Sequence, residues 1–109
     1  FSGFVNPIEA MGRSDMIVQL SVWENCSYTL LDAKAADLKT VATAVGGNPE
    51  ILGADELVDR QSATLTQDVL QAMRAQLQKD ESEPFAWISN EQMAAQTVDI
   101  YTRVLRGGR

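Results

Sequence analysis

The sequence predicts a parallel, doubly wound α/β sheet, of which these 109 residues hold a part. Three observations carry that expectation. Short apolar segments rich in β-branched residues alternate with capped, helix-patterned ones along the chain. One of them, Met16-Ile-Val-Gln-Leu20, is a near-continuous apolar run, as in a strand covered on both faces. Only three or four such segments are present, whereas an open sheet of this kind carries about five or six strands. The N-terminal half of the domain is therefore expected to lie outside this chain, which would make it a fragment.

Taken in order, Phe1 to Val5 is an aromatic and β-branched strand already under way, unlike a signal peptide. Asn6-Pro7-Ile8-Glu9 supplies a cap, a proline at the first helical position and a carboxylate reaching back. The short helix it opens runs through Ala10 and Met11 and ends near Gly12. Met16 to Leu20 is the next strand, and Ser21 to Cys26 the loop after it. A helix follows from about Ser27 to Ala36, with Leu30, Leu31 and Ala35 available to pack. Thr40 to Ala44 is a strand, and Asn48-Pro49 caps a short helical turn through Leu52. Glu56-Leu-Val58 reads as one more brief strand. Thr64-Leu-Thr-Gln67 has the spacing of a capping box, and Leu65, Val69, Met73 and Leu77 mark one face of the helix behind it. Lys79 to Pro84 is a charged linker ended by proline; its acidic run Asp80 to Glu83 reads as solvated. Ser89-Asn-Glu-Gln92 repeats the capping pattern before a final helix, on which Met93, Thr97, Tyr101 and Val104 form a stripe.

Composition narrows the function. Nine basic against fifteen acidic residues give a net charge of −6, and the basic residues are scattered. That balance argues against a nucleic-acid surface and against a basic stripe for anionic lipid. With no His and one Cys, zinc sites of the Cys/His type, Ser-His-Asp triads and Cys-His pairs cannot be built from this chain alone. The lone Cys26 fits a reducing cytoplasm, and no apolar run is long enough to span a bilayer.

Chemistry concentrates in Glu24-Asn-Cys-Ser-Tyr-Thr-Leu-Leu-Asp32 and the Val41-Ala-Thr-Ala-Val-Gly-Gly-Asn-Pro-Glu50 that follows. Two carboxylates eight positions apart flank small polar residues that open a helix. At the C-terminal edge of a parallel sheet this arrangement suits a ligand with both phosphates and hydroxyls. Helix-start amides hold the anion and carboxylates take sugar hydroxyls. Ser27 reads as the helix cap, Cys26 as a small packing residue without a base to activate it, and Glu50 as structural. Gly46-Gly47 reads as permitting close backbone approach beside the pocket, and Trp23 and Trp87 as core or hinge packing.

From Phe1 to about Leu105 the chain resembles the C-terminal half of the nucleotide-sugar-binding domain of group 1 (family 4) glycosyltransferases. The resemblance is carried by Phe1-Ser-Gly-Phe, by Arg13-Ser-Asp-Met-Ile-Val-Gln-Leu-Ser21, and by Glu24 and Asp32 at the places of two acids separated by seven residues. It continues through Val41-Ala-Thr with Gly46-Gly47-Asn48-Pro49-Glu50, and then Phe85-Ala-Trp87 and Tyr101-Thr-Arg-Val-Leu105. It implies a retaining, metal-independent enzyme of the two-domain GT-B architecture with a Rossmann-like donor domain and no cofactor. A sugar would pass from a nucleoside-diphosphate donor to a saccharide or lipid acceptor held by a second domain. Glu24 would approach the donor sugar, the backbone of Asn25, Cys26, Ser27, Tyr28 and Thr29 would bind diphosphate and sugar, and Asp32 would bond the ribose hydroxyls. Gly46 and Gly47 would border the donor.

The family's Gly-Phe-Gly after the first acid is Asn25-Cys26-Ser27 here, its second acid is the shorter Asp32, and its Gly and Pro before the next strand are Asp37 and Lys39. Its diphosphate-gripping basic residues follow a strand that this chain lacks. The isolated chain is therefore expected to be inactive, and to dimerise or be completed through the exposed edge at Phe1 to Val5. The expected location is the cytoplasm, with any contact to a membrane left to the missing domain. The alternative reading is a non-catalytic, degenerate donor domain used for binding or assembly. A dinucleotide-dependent oxidoreductase fits the fold class but lacks Gly-x-Gly-x-x-Gly.

Overall fold

The computed structural model describes residues 3–81 and 85–107. Three strands, β1 (Met16–Gln19), β2 (Lys39–Thr43) and β3 (Leu57–Val58), form one all-parallel sheet in the order β1-β2-β3. Met16 lies beside Lys39, and Ala42 beside Leu57. Because all three strands run the same way, the loops after β1, β2 and β3 gather at one edge.

β2 is the centre of the core. Its residues Thr40, Val41, Ala42 and Thr43 are all inaccessible to solvent. Alternation along the strand sends neighbours to opposite faces. Val41 packs with Val58 and with Val69 of α4 (Leu65–Leu77), joined by Met16, Leu65 and Met73. Ala42 packs with Leu30 of α2 (Tyr28–Ala35) and with Ile51 and Leu52 at the end of α3 (Asn48–Ile51). Helices thus cover both faces, and the chain is an α/β domain of partial Rossmann-like form.

Local signals in the sequence are realised where a side chain meets its own backbone. Asn6 caps α1 (Pro7–Gly12) by accepting from the Ile8 amide at 2.9 Å, although the Glu9 carboxylate does not reach back to the cap. Ser89 and Gln92 form the reciprocal capping box of α5 (Asn90–Leu105). α2 ends in a Schellman turn: Leu38 N–H donates to the Ala33 carbonyl and Asp37 N–H to that of Lys34. Asp37 therefore adopts φ 58° in the position where glycine is the usual choice.

Several expectations are corrected. Gly3 to Val5 form no strand, and Phe1 and Ser2 lie outside the described residues; Phe4 is fully exposed. Among the described residues β1 is an edge strand, as is β3; β1 ends at Gln19, and Val18 is exposed rather than covered. β2 begins at Lys39 and ends at Thr43, one residue early at each end. In α2 the inward residues include Ala33 and Lys34, while Ala35 faces solvent. α3 is capped at Gly47, so Asn48 is its first residue and not its cap. Thr64 makes no side-chain bond to the α4 amides; its hydroxyl and that of Ser62 both donate to Asp68. Leu77 is exposed, and the neighbouring Gln76 is buried, donating to the Asp55 carbonyl at 3.2 Å. Of the linker, 79–81 are described and Ser82, Glu83 and Pro84 lie outside. The α5 stripe of Met93, Thr97, Tyr101 and Val104 is exposed along its length.

Glu56 precedes β3 instead of opening it, and sits in a 3-10 turn, Ala54–Glu56. It is buried, and its carboxylate collects three donors: Lys34 Nζ at 2.7 Å, Thr40 Oγ1 at 2.8 Å and the Gly53 amide at 2.8 Å. One buried ion pair thus ties α2, β2 and the 3-10 turn together. Nearby, Lys79 donates to the Asp55 carboxylate, holding it below the ordinary carboxylate range, and Lys39 donates to the Lys79 carbonyl. These contacts fasten the end of α4 to the sheet. Among the described residues no helix is long and apolar enough to cross a membrane.

Candidate functional site

The gathered loops bring most of the sequence-predicted residues together. Residues 20–27 follow β1 and residues 44–47 follow β2, so both leave the sheet at its C-terminal edge. Gly46 has φ +53° and lies under the backbone of the first loop: a Cβ there would overlap the Glu24 carbonyl. On Gly47 a Cβ would overlap the Asn25 carbonyl and lie 3.9 Å from the Cys26 Cα. The space those absent side chains leave lets the Gly47 amide donate to the Glu24 carbonyl at 2.9 Å. The glycine pair permits close backbone approach, and the approaching backbone is the chain's own acid loop.

Glu24 is half-buried, and its Oε1 accepts from Ser21 Oγ at 2.8 Å. The Ser21 carbonyl in turn accepts from Thr43 Oγ1 at 2.7 Å. Asn48, wholly buried, donates from Nδ2 to the Thr43 carbonyl at 2.9 Å. Trp23 corrects its expectation as a packing residue: it is exposed, and its indole N–H donates to Asn25 Oδ1 at 2.9 Å. Trp87, also expected to pack, is exposed and stacks on Phe85, with ring centroids 6.3 Å apart.

Ser27 is the cap of α2. Its buried hydroxyl accepts from the Leu30 amide at 3.2 Å and from Gln19 Nε2 at 3.0 Å, so both of its lone pairs serve the fold. Helix geometry leaves the first amides of α2, those of Tyr28 and Thr29, without intrahelical acceptors. Asn25, Cys26, Tyr28 and Thr29 are exposed around that opening, with Cys26 a free thiol. Asp32 lies about one turn further along, on the exposed side of α2. It borders a hollow of about 620 Å³ between α1 and α2, whose apolar lining includes Ile8, Met11, Ala35 and Leu38. Glu24 and Asp32 thus occupy different parts of the site, one at the sheet edge and one beside this hollow. Glu50 is exposed on α3.

Nothing in the sequence marks Gln19, Ser21, Thr43 or Asn48 as supports of the acid loop. Ser21-Val-Trp-Glu24 does carry the Ser-x-x-Glu spacing of a capping box, but here it closes a loop instead of starting a helix.

A parallel sheet with helices on both faces defines a Rossmann-like domain, and the pinned acid loop lies at its C-terminal edge, the side on which such folds bind ligands. The family model "Glycosyl transferases group 1" matches residues 1–79, and the chain belongs to that family. Its chemistry is sugar transfer, which requires a sugar donor and an acceptor. No curated protein and no solved structure is significantly similar to the chain.

Proposed function

We propose that this chain is the C-terminal part of the donor-binding domain of a retaining, metal-independent GT-B glycosyltransferase of family 4. Its donor is a nucleoside-diphosphate sugar. Glu24 faces the sugar, the loop and helix-start amides from Asn25 to Thr29 hold the diphosphate, and Asp32 accepts from the ribose hydroxyls. Gly46 and Gly47 shape this site by seating the acid loop. The observation that supports the reading most is that seat: the Glu24 loop rests on two glycines immediately before a capped helix with open amides. Oriented amides in such a place stabilise negative charge as it grows on a leaving diphosphate, which needs no bound cation. A second domain holds the saccharide or lipid acceptor, and the work belongs to cytoplasmic polysaccharide or glycolipid synthesis.

The test is donor binding by calorimetry on the intact protein. Asp32→Ala should weaken nucleoside-diphosphate affinity by about 2–3 kcal/mol, the loss of hydrogen bonds to a charged acceptor. Unchanged affinity would remove Asp32 from the site. The side chains at Asn25 and Cys26, where the family pattern has glycine and an aromatic residue, favour a second reading as a binding module. Donor binding without any transfer would select it.

A further inference from the structure

We infer that Ser21, held in place by Thr43, is a positioning residue for sugar transfer, acting through the Glu24 carboxylate. This rests on the reading of Glu24 as the acid that faces the donor. A glutamate on an exposed loop has several rotamers, and only a narrow set serves a reaction at one atom. Here the side chain is held by Ser21 Oγ at 2.8 Å and the main chain by the Gly47 amide at 2.9 Å. Ser21 does not depend on the loop for its own place, because its carbonyl is held by Thr43 Oγ1 at 2.7 Å. Thr43 is wholly buried, β-branched and the last residue of the central strand, with its carbonyl fixed by Asn48. A continuous path of short hydrogen bonds therefore runs from the sheet core to the acid. It engages Oε1, and the second oxygen, Oε2, carries no hydrogen bond among the described residues.

Steady-state kinetics on the intact enzyme test this with Ser21→Ala, Ser21→Thr and Glu24→Ala measured side by side. Ser21→Ala should lower kcat about tenfold while the KM for donor stays unchanged, the loss of one hydrogen bond to a charged group. Ser21→Thr, which keeps the hydroxyl, should restore most of that loss. A Ser21→Ala enzyme with normal kcat beside an inactive Glu24→Ala enzyme would overturn the role of Ser21 alone. So would a defect in Ser21→Ala that appears in KM and melting temperature and is not relieved by threonine. Full activity of Glu24→Ala would instead overturn the reading of the acid on which the inference rests.

Discussion

Replacing Gly46 with alanine should destabilise the protein by about 2–5 kcal/mol, the sum of a left-handed backbone penalty and a steric one. The two costs are independent. Gly46 has φ +53°, which disfavours any Cβ, and the Cβ would also be forced into the Glu24 carbonyl. Neither can be relieved by rotating a side chain, because the obstructing atoms are backbone. Relief requires the acid loop to lift, which would break the bond from the Gly47 amide and carry Glu24 with it. Denaturant midpoints measure the effect, with Gly12→Ala as a control. Gly12 is the last residue of α1, has nothing within 4 Å of a Cβ, and should gain stability from alanine's better helix propensity. A Gly46→Ala protein within about 1 kcal/mol of the parent would mean that the loop is not seated as described.

Lys34→Met should cost about 3–5 kcal/mol, because it leaves the Glu56 carboxylate charged, buried and short of its strongest donor. The two side chains are each only 4% exposed, so water cannot replace the ammonium without opening the core. Thr40 and the Gly53 amide still donate to Glu56, but neither carries charge. Neutralising the partner should therefore help: Lys34→Met combined with Glu56→Gln should be more stable than Lys34→Met alone. That coupling, read from a double-mutant cycle of denaturant midpoints, separates a charge effect from a simple packing loss. Additive costs would show that Lys34 acts through its alkyl stem.

Much of the fold was legible because its signals are local. Asn6, Ser27 and Ser89 cap helices a few residues away, and the strands Met16–Gln19 and Lys39–Thr43 lie within a residue of their expected bounds. What failed depended on distant partners. Phe4 and Val5 have strand-forming side chains, yet Gly3 to Val5 form no strand, because such preference acts only where a segment pairs and packs in a sheet. Val18 sits in an apolar run that periodicity assigns to a buried strand, but β1 lies at the sheet edge. Lys34 and Glu56 are 22 residues apart, and nothing in either neighbourhood marks them as a buried pair.

The site divides in the same way. Gly46-Gly47 announces close approach, while the identity of the approaching atoms, the Glu24 and Asn25 carbonyls, emerges only when β1 and β2 are side by side. The Ser27 cap is written in sequence, but its second partner, Gln19, is brought to it by the sheet. Resemblance to a family pointed to Glu24 and Asp32. It includes Ser21 and Thr43 in its motifs but gives them no role, which comes from hydrogen bonds across the loop and to the core strand.

On the proposed reading Glu24 belongs to the reacting site and not to the support of the fold. Turnover and melting temperature of Glu24→Ala, measured together in the intact enzyme, separate the two roles. The carboxylate makes one side-chain hydrogen bond among the described residues, to Ser21, so its removal should shift melting by no more than about 4 °C. Turnover should fall by about a hundredfold or more, the usual effect of removing a group that acts on charge in the transition state. Near-normal turnover would remove Glu24 from the reacting site, as would a loss of activity that tracks a collapse in stability.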